Sequence, residues 1–239
     1  NTRFPEFRNP AALGLYQCQF PFDLSGPFNK QAVMRLSTFN IVMVNSKFTQ
    51  SWYIRLCDSV YQMLEEKELR YPTVEGVFPP VELIPIAPFF SKPADKNVVK
   101  IMQLGRIFSG RQNKGHVKSI EALKLLNAAS AEDTITYELH IIGNIHPRFE
   151  AYADSLRKSA ENERVFFHFG VTSVELMQLL DEGDFIWHLT GMDISEEDSD
   201  PASYEHFGIS VVEGMSHGLV PIVYNRGGVT EIPGRFGAI

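Results

Sequence analysis

From Val98 to Tyr224 short apolar runs alternate with segments whose apolar residues recur at helical spacing, and this alternation leaves the chain few possible architectures. Val98 to Leu104, Tyr137 to Ile142, Arg164 to Phe169, Asp184 to Leu189 and Leu219 to Tyr224 read as strands. Between them, Val117 to Leu126, Phe149 to Ala160 and a segment through Leu180 read as helices, the last opened by a capping box of Thr172 and Glu175. Strands separated by helices of this length pair in parallel through right-handed crossovers and gather ligands at their carboxyl ends. The expected fold class is α/β, with a Rossmann-like domain in this half.

Upstream, Leu13 to Gln19 and Phe39 to Val44 read as strands, and Thr49 starts a helix through Trp52, Ile54, Leu56, Val60 and Leu64. The Pro-rich stretch from Phe78 through Pro85 and Pro88 breaks both periods, as a linker does. We place the boundary near residue 88, with one unit over 1–88 and a second over 89–239. The first residues, Asn1-Thr2-Arg3, lack the pattern of a signal peptide and no apolar run is long enough to span a bilayer. The missing initiator Met and the stop at Ile239, soon after a diglycine turn, lead us to expect a fragment truncated at both ends.

A formal net charge of −7 with no basic cluster argues against a nucleic-acid partner. Cys18 and Cys57 lack metal-ligand spacing and are too few for a disulfide framework, so a reducing compartment is expected. The acidic run Asp193 to Asp200 lacks the central Gly and ligand order of an EF-hand loop and reads as a solvated loop.

The chemistry concentrates near the C-terminal end, in Glu205-His206-Phe207-Gly208-Ile209, then Glu213, separated from Glu205 by seven residues, then Gly227-Gly228-Val229-Thr230-Glu231. One carboxylate precedes a helix start and another lies in its first turns. Unpaired backbone N–H groups and the helix dipole at such a start favour phosphate, while carboxylates accept hydrogen bonds from sugar hydroxyls. A second constellation is Leu104-Gly105-Arg106 followed by Asn113-Lys114-Gly115-His116, a strand end and loop able to set two cations over a pyrophosphate. As the bland alternatives, Arg106 and Lys114 are surface cations, Glu205 and Glu213 are acidic residues near a helix start, and Gly227 and Gly228 form a plain tight turn.

These runs resemble the signature of retaining glycosyltransferases of family 4, which have the two-lobed glycosyltransferase B fold. The two glutamates, the Phe-Gly-Ile between them and the Gly-Gly-x-x-Glu turn all match, in the form common among mannosyltransferases. The resemblance implies two Rossmann-like lobes, an acceptor-side lobe only partly present and a nearly complete donor lobe. It implies retaining, metal-independent transfer from a nucleotide sugar, GDP-mannose or a UDP-sugar, to an acceptor the sequence does not identify: a glycan, a lipid-linked glycan or a small molecule. Arg106 and Lys114 then hold the donor diphosphate, with Arg111 the alternative to Lys114 because the loop is long, and Gly105 lets the backbone approach. Glu205 meets the donor sugar or the reacting region, Glu213 the ribose, and Phe207, Gly208 and Ile209 the sugar and phosphate through their amides. His188 and Gly191 resemble the strand-end His and Gly of part of the family, and Gly227 and Gly228 admit a ligand closely. Gln19 stands where relatives carry His, while Asn45 and Ser46 resemble a turn that also caps a helix. No cofactor or metal is implied. The cytoplasm is the expected compartment, or the cytosolic face of a membrane touched through regions outside this chain. The alternative functions are a nucleotide-sugar-binding module without turnover, and an epimerase or phosphorylase on the same fold.

Overall fold

In a computed structural model of the chain, residues 7–19, 34–64, 71–81, 97–130, 134–194 and 200–232 are described. The expected linker segment 82–88, residues 195–199 of the acidic run and the end at 237–239 lie outside them.

The N-terminal unit contains β1 (Leu15–Cys18), β2 (Ile41–Val44), α1 (Lys47–Leu64) and β3 (Thr73–Gly76), with a parallel sheet in the order β1-β2-β3. The period of two turns Tyr16 and Cys18 of β1 and Val42 and Val44 of β2 to one buried face. Tyr53, Leu56 and Cys57, one turn apart on α1, pack on that face. Two expectations shift here: α1 begins at Lys47 rather than Thr49, and the first strand is shorter than Leu13 to Gln19, with Leu13 64% exposed before it. β3 was not expected at all.

The C-terminal unit runs β4 (Val98–Leu104), α2 (His116–Ala129), β5 (Thr136–Gly143), α3 (Glu150–Ser159), β6 (Val165–Phe169), α4 (Ser173–Glu182), β7 (Phe185–His188), α5 (Ile209–Ser216) and β8 (Val220–Val223). Its five strands pair in parallel in the order β6-β5-β4-β7-β8. The chain works outward from β4 to β6, then returns to the other side of β4 to lay down β7 and β8. The reversal between β4 and β7 opens a crevice at the carboxyl ends of the strands, the usual place for a ligand in such a sheet. All five expected strands are present. The helix expected from Phe149 is a 3-10 turn, Pro147–Phe149, leading into α3.

Ile101, Leu139 and Ile141 pack on one sheet face with Ile120, Leu123 and Leu156 of α2 and α3. Met102, Ile142 and Ile186 pack on the other with Leu180 of α4. The capping box is formed: the Glu175 N–H donates to Thr172 Oγ1 at 3.3 Å, and the Thr172 N–H donates to the Glu175 carboxylate at 2.7 Å. The two units meet through Phe48 edge-on to Tyr204, centroids 6.4 Å apart, and Phe78 stacked on Phe207 at 5.6 Å. Among the described residues no helix is long and apolar enough to cross a membrane.

Candidate active site

At the crevice lies a cavity of about 500 Å³, within the range of small-molecule sites. Gly105, Arg106, Lys114, Glu205, Glu213 and residues 207–209 line it from the C-terminal unit, and Gln19, Asn45 and Pro79 from the N-terminal one. Residues as far apart in sequence as Gln19 and Glu213 thus converge where the strand ends of the two sheets meet.

Glu205 sits at the centre of the polar wall, 9% exposed. Its Oε2 accepts from Lys114 Nζ at 2.6 Å and lies 2.9 Å from His188 Nε2. Burial alone would raise the Glu205 pKa, but His188 and Lys114 hold the carboxyl well below its usual range. Glu205 is therefore ionised at neutral pH. His188, 3% exposed, stands behind it at the end of β7, with Thr190 Oγ1 at 3.1 Å from Nε2 and Ser210 Oγ at 3.5 Å from Nδ1. Read from sequence as a donor contact, His188 is absent from the cavity lining and touches Glu205 instead.

The loop after β4 is built around glycine. A Cβ on Gly105 would sit 3.0 Å from Lys114 Cγ, so the missing side chain makes room for the lysine stem. The Lys114 carbonyl accepts from Gln103 Nε2 at 2.7 Å, and the Gly115 N–H donates to Asn113 Oδ1 at 2.9 Å. Arg106 is exposed, its guanidinium 5.4 Å from the Phe108 ring, and borders the cavity. Arg111 turns away to an ion pair with Asp200 and does not line the cavity. Of the two loop cations weighed against each other, Lys114 is the one at the site.

Gly208, with φ 103°, occupies the left-handed region that glycine tolerates and precedes α5. Glu213, on the second turn of α5, lines the cavity half-buried, and burial raises its pKa, offset in part by His217. Gly227 and Gly228 do not line the cavity. The group that approaches them closely is the chain itself: a Cβ would fall 2.3 Å from the Glu205 carbonyl at Gly227 and 1.9 Å from the His206 carbonyl at Gly228. The Gly228 N–H donates to the Glu205 carbonyl at 2.7 Å. This turn supports the Glu205 segment from behind.

Asn144, Leu176 and Ser210 also line the cavity and were not singled out from sequence. Asn144 follows Gly143 at the end of β5, the one signal that pointed there. On the N-terminal side the Asn45 side chain donates to the Gln19 carbonyl at 2.9 Å, and the Thr49 N–H donates to Ser46 Oγ at 3.0 Å, so Ser46 caps α1.

Residues 88–236 match the family model described as glycosyl transferases group 1. The chain belongs to this family. A curated relative, the Mus musculus GDP-Man:Man(3)GlcNAc(2)-PP-Dol alpha-1,2-mannosyltransferase, is 29% identical over 204 residues, covering 80% of this chain and 35% of the relative. Among solved structures, a UDP-forming trehalose-phosphate synthase from Burkholderia xenovorans superposes with a TM-score of 0.66 at 12% identity, over 95% of this chain and 57% of that one. Anabaena HepE in complex with UDP and glucose gives 0.54 at 18% identity, over 90% and 54%. The chain thus spans about a third of the mannosyltransferase and little more than half of these structures. The glycosyltransferase B fold inferred from the motifs is the fold found.

Proposed function

We propose that this group 1 glycosyltransferase chain takes part in retaining transfer of a sugar from a nucleotide-sugar donor, GDP-mannose before a UDP-sugar, to a hydroxyl of a glycan or lipid-linked glycan. The observation that carries the reading is the convergence of Arg106, Lys114, Glu205 and Glu213 on one cavity at the sheet's carboxyl edge. The GDP-mannose choice and the lipid-linked acceptor lean on the mannosyltransferase relative.

On this reading Arg106 and Lys114 face the diphosphate, where charge grows as the bond from the anomeric carbon to phosphate oxygen breaks. The acceptor oxygen bonds to the same face of that carbon, and its proton passes to the departing phosphate oxygen. Cationic side chains do this without a metal. The Glu205 carboxylate fixes Lys114 and stays ionised beside the developing positive charge of the sugar ring, while Glu213 accepts from the ribose hydroxyls.

A calorimetric titration of the full-length protein with GDP, UDP and their sugars, beside a transfer assay, tests this. We expect Arg106→Ala to weaken nucleoside diphosphate binding by about tenfold or more and nucleoside binding little, since a charge-assisted phosphate contact is lost. Equal loss for both ligands, or none, sinks the assignment; binding without transfer leaves a binding module.

A further inference from the structure

Glu231 closes the Gly-Gly-x-x-Glu turn of the C-terminal unit, yet its carboxylate lies on the N-terminal end of α1 across the cleft. Oε2 accepts from the Lys47 N–H at 2.9 Å and Oε1 from the Phe48 N–H at 2.8 Å. Ser46 Oγ takes the Thr49 N–H at 3.0 Å, and the Gln50 N–H reaches the Ser46 carbonyl at 3.0 Å. A helix leaves its first amides without intrahelical acceptors. Here every one of the leading amides of α1 is bonded, two of them by a residue more than 180 positions away in the other lobe.

We propose that Glu231 is a positioning residue for sugar transfer, a latch that fixes the acceptor-side wall of the cavity against Glu205. The inference rests on the transfer reading above. At one end of the turn the Gly228 N–H donates to the Glu205 carbonyl at 2.7 Å. At the other, Glu231 grips α1 immediately after Asn45 and Ser46. Asn45 lines the cavity just before α1 and donates to the Gln19 carbonyl at 2.9 Å, so both wall residues, each at the end of a different strand, are tied to the start of α1. Ser46 packs on Gly228, where a Cβ would come within 2.8 Å of the hydroxyl. A short run of bonds therefore sets the distance from Glu205 to Asn45 and Gln19. The donor groups Arg106, Lys114 and Glu213 all lie on the C-terminal side of that run, and donor binding does not depend on it. Transfer does, because it requires both walls in reacting geometry.

The carboxylate matters for its two acceptors. Gln at 231 keeps one acceptor oxygen and brings an NH₂ group against the second amide; Ala keeps neither. The test compares wild type, Glu231→Gln and Glu231→Ala in the full-length protein by hydrogen exchange, nucleoside diphosphate titration and steady-state transfer. We expect exchange at Lys47 and Phe48 to quicken by about fivefold or more in Glu231→Ala, the scale of a lost helix cap, with the amides of α4 unchanged. Nucleotide affinity should stay within about twofold while kcat for transfer falls by about tenfold or more at unchanged donor KM. Glu231→Gln should fall between and keeps the test usable if Ala fails to fold. Unchanged exchange overturns the latch, changed exchange with undiminished kcat reduces Glu231 to a structural cap, and parallel loss of nucleotide affinity overturns the separation of roles. A wild-type protein that binds nucleotide but transfers nothing refutes the transfer reading itself, a result distinct from all three.

Discussion

Buried carboxylates usually take up a proton, and Glu205 does not because Lys114 and His188 supply partners within hydrogen-bond distance. Glu213 is the contrasting case: burial outweighs the opposing pull of His217 and raises its pKa. We expect Glu213→Gln to weaken nucleotide binding by roughly 1.5–3 kcal/mol, the worth of a hydrogen bond to a charged group, with the fold intact; unchanged affinity in calorimetry would end the ribose role. His116, at the start of α2, gives a pH prediction. Neither ring nitrogen has a hydrogen-bond partner among the described residues, and burial, with Lys114 and His188 nearby, lowers its pKa from 6.5 to about 3. The folded state therefore binds fewer protons than the unfolded one. Its contribution is whole above pH 6.5 and is lost as pH falls from there toward about 3, at a slope of up to ~1.4 kcal/mol per pH unit. Buried His206, lowered to about 4, adds the same sign. Urea unfolding across this window should show a shallower slope for His116→Phe than for wild type; equal slopes would mean another group governs acid lability.

At the scale of elements, helix starts and glycine contacts predict separable effects. Thr172→Ala removes the α4 capping box and should cost about 1 kcal/mol by chemical denaturation while leaving nucleotide affinity alone, since Thr172 lies outside the cavity lining. Gly143→Ala should do the reverse damage: its Cβ would fall 1.8 Å from the Gly105 carbonyl, pushing the Arg106 loop aside and weakening nucleotide binding. Normal binding by this variant would show that the loop adjusts freely. The five strands of the C-terminal sheet were legible because each is a short, mostly apolar run bounded by polar or Gly-containing segments, with the central strands β4, β5 and β7 largely buried. β3 was not, since Thr73, Glu75 and Gly76 are exposed and leave no alternation to read. The start of α1 was misplaced because its first amides are satisfied partly by Glu231, an acceptor no local pattern contains. In the site, the residue types were readable from the motifs, but the pairing of Lys114 with Glu205 and the place of His188 behind it are contacts across 91 and 17 positions. Spacing along the chain carries no information about such contacts.

For the molecule as a whole, a ligand that binds only the folded state raises stability by mass action, ~2.7 kcal/mol at a hundred times Kd. A matching nucleoside diphosphate should therefore raise Tm by several degrees, and thermal-shift screening of GDP, UDP and ADP should rank them; a flat response to all three would argue against a preformed donor cavity. How the lobes sit was the least legible feature, being set by ring contacts such as Phe78 on Phe207 and by the Glu231 carboxylate.

Both cysteines of the chain, Cys18 and Cys57, lie in the small core between α1 and the N-terminal sheet, neither of them exposed. Burial pushes the Cys57 thiol up to about 11, and only a thiolate reacts readily. Alkylation by a small maleimide or by Ellman's reagent then becomes a stopwatch for excursions of the acceptor-side lobe alone, because residues 89–239 carry no sulfhydryl to contribute background. A nucleotide that merely occupies its own lobe should leave the labelling half-time where it was. One that also draws the lobes together should lengthen it.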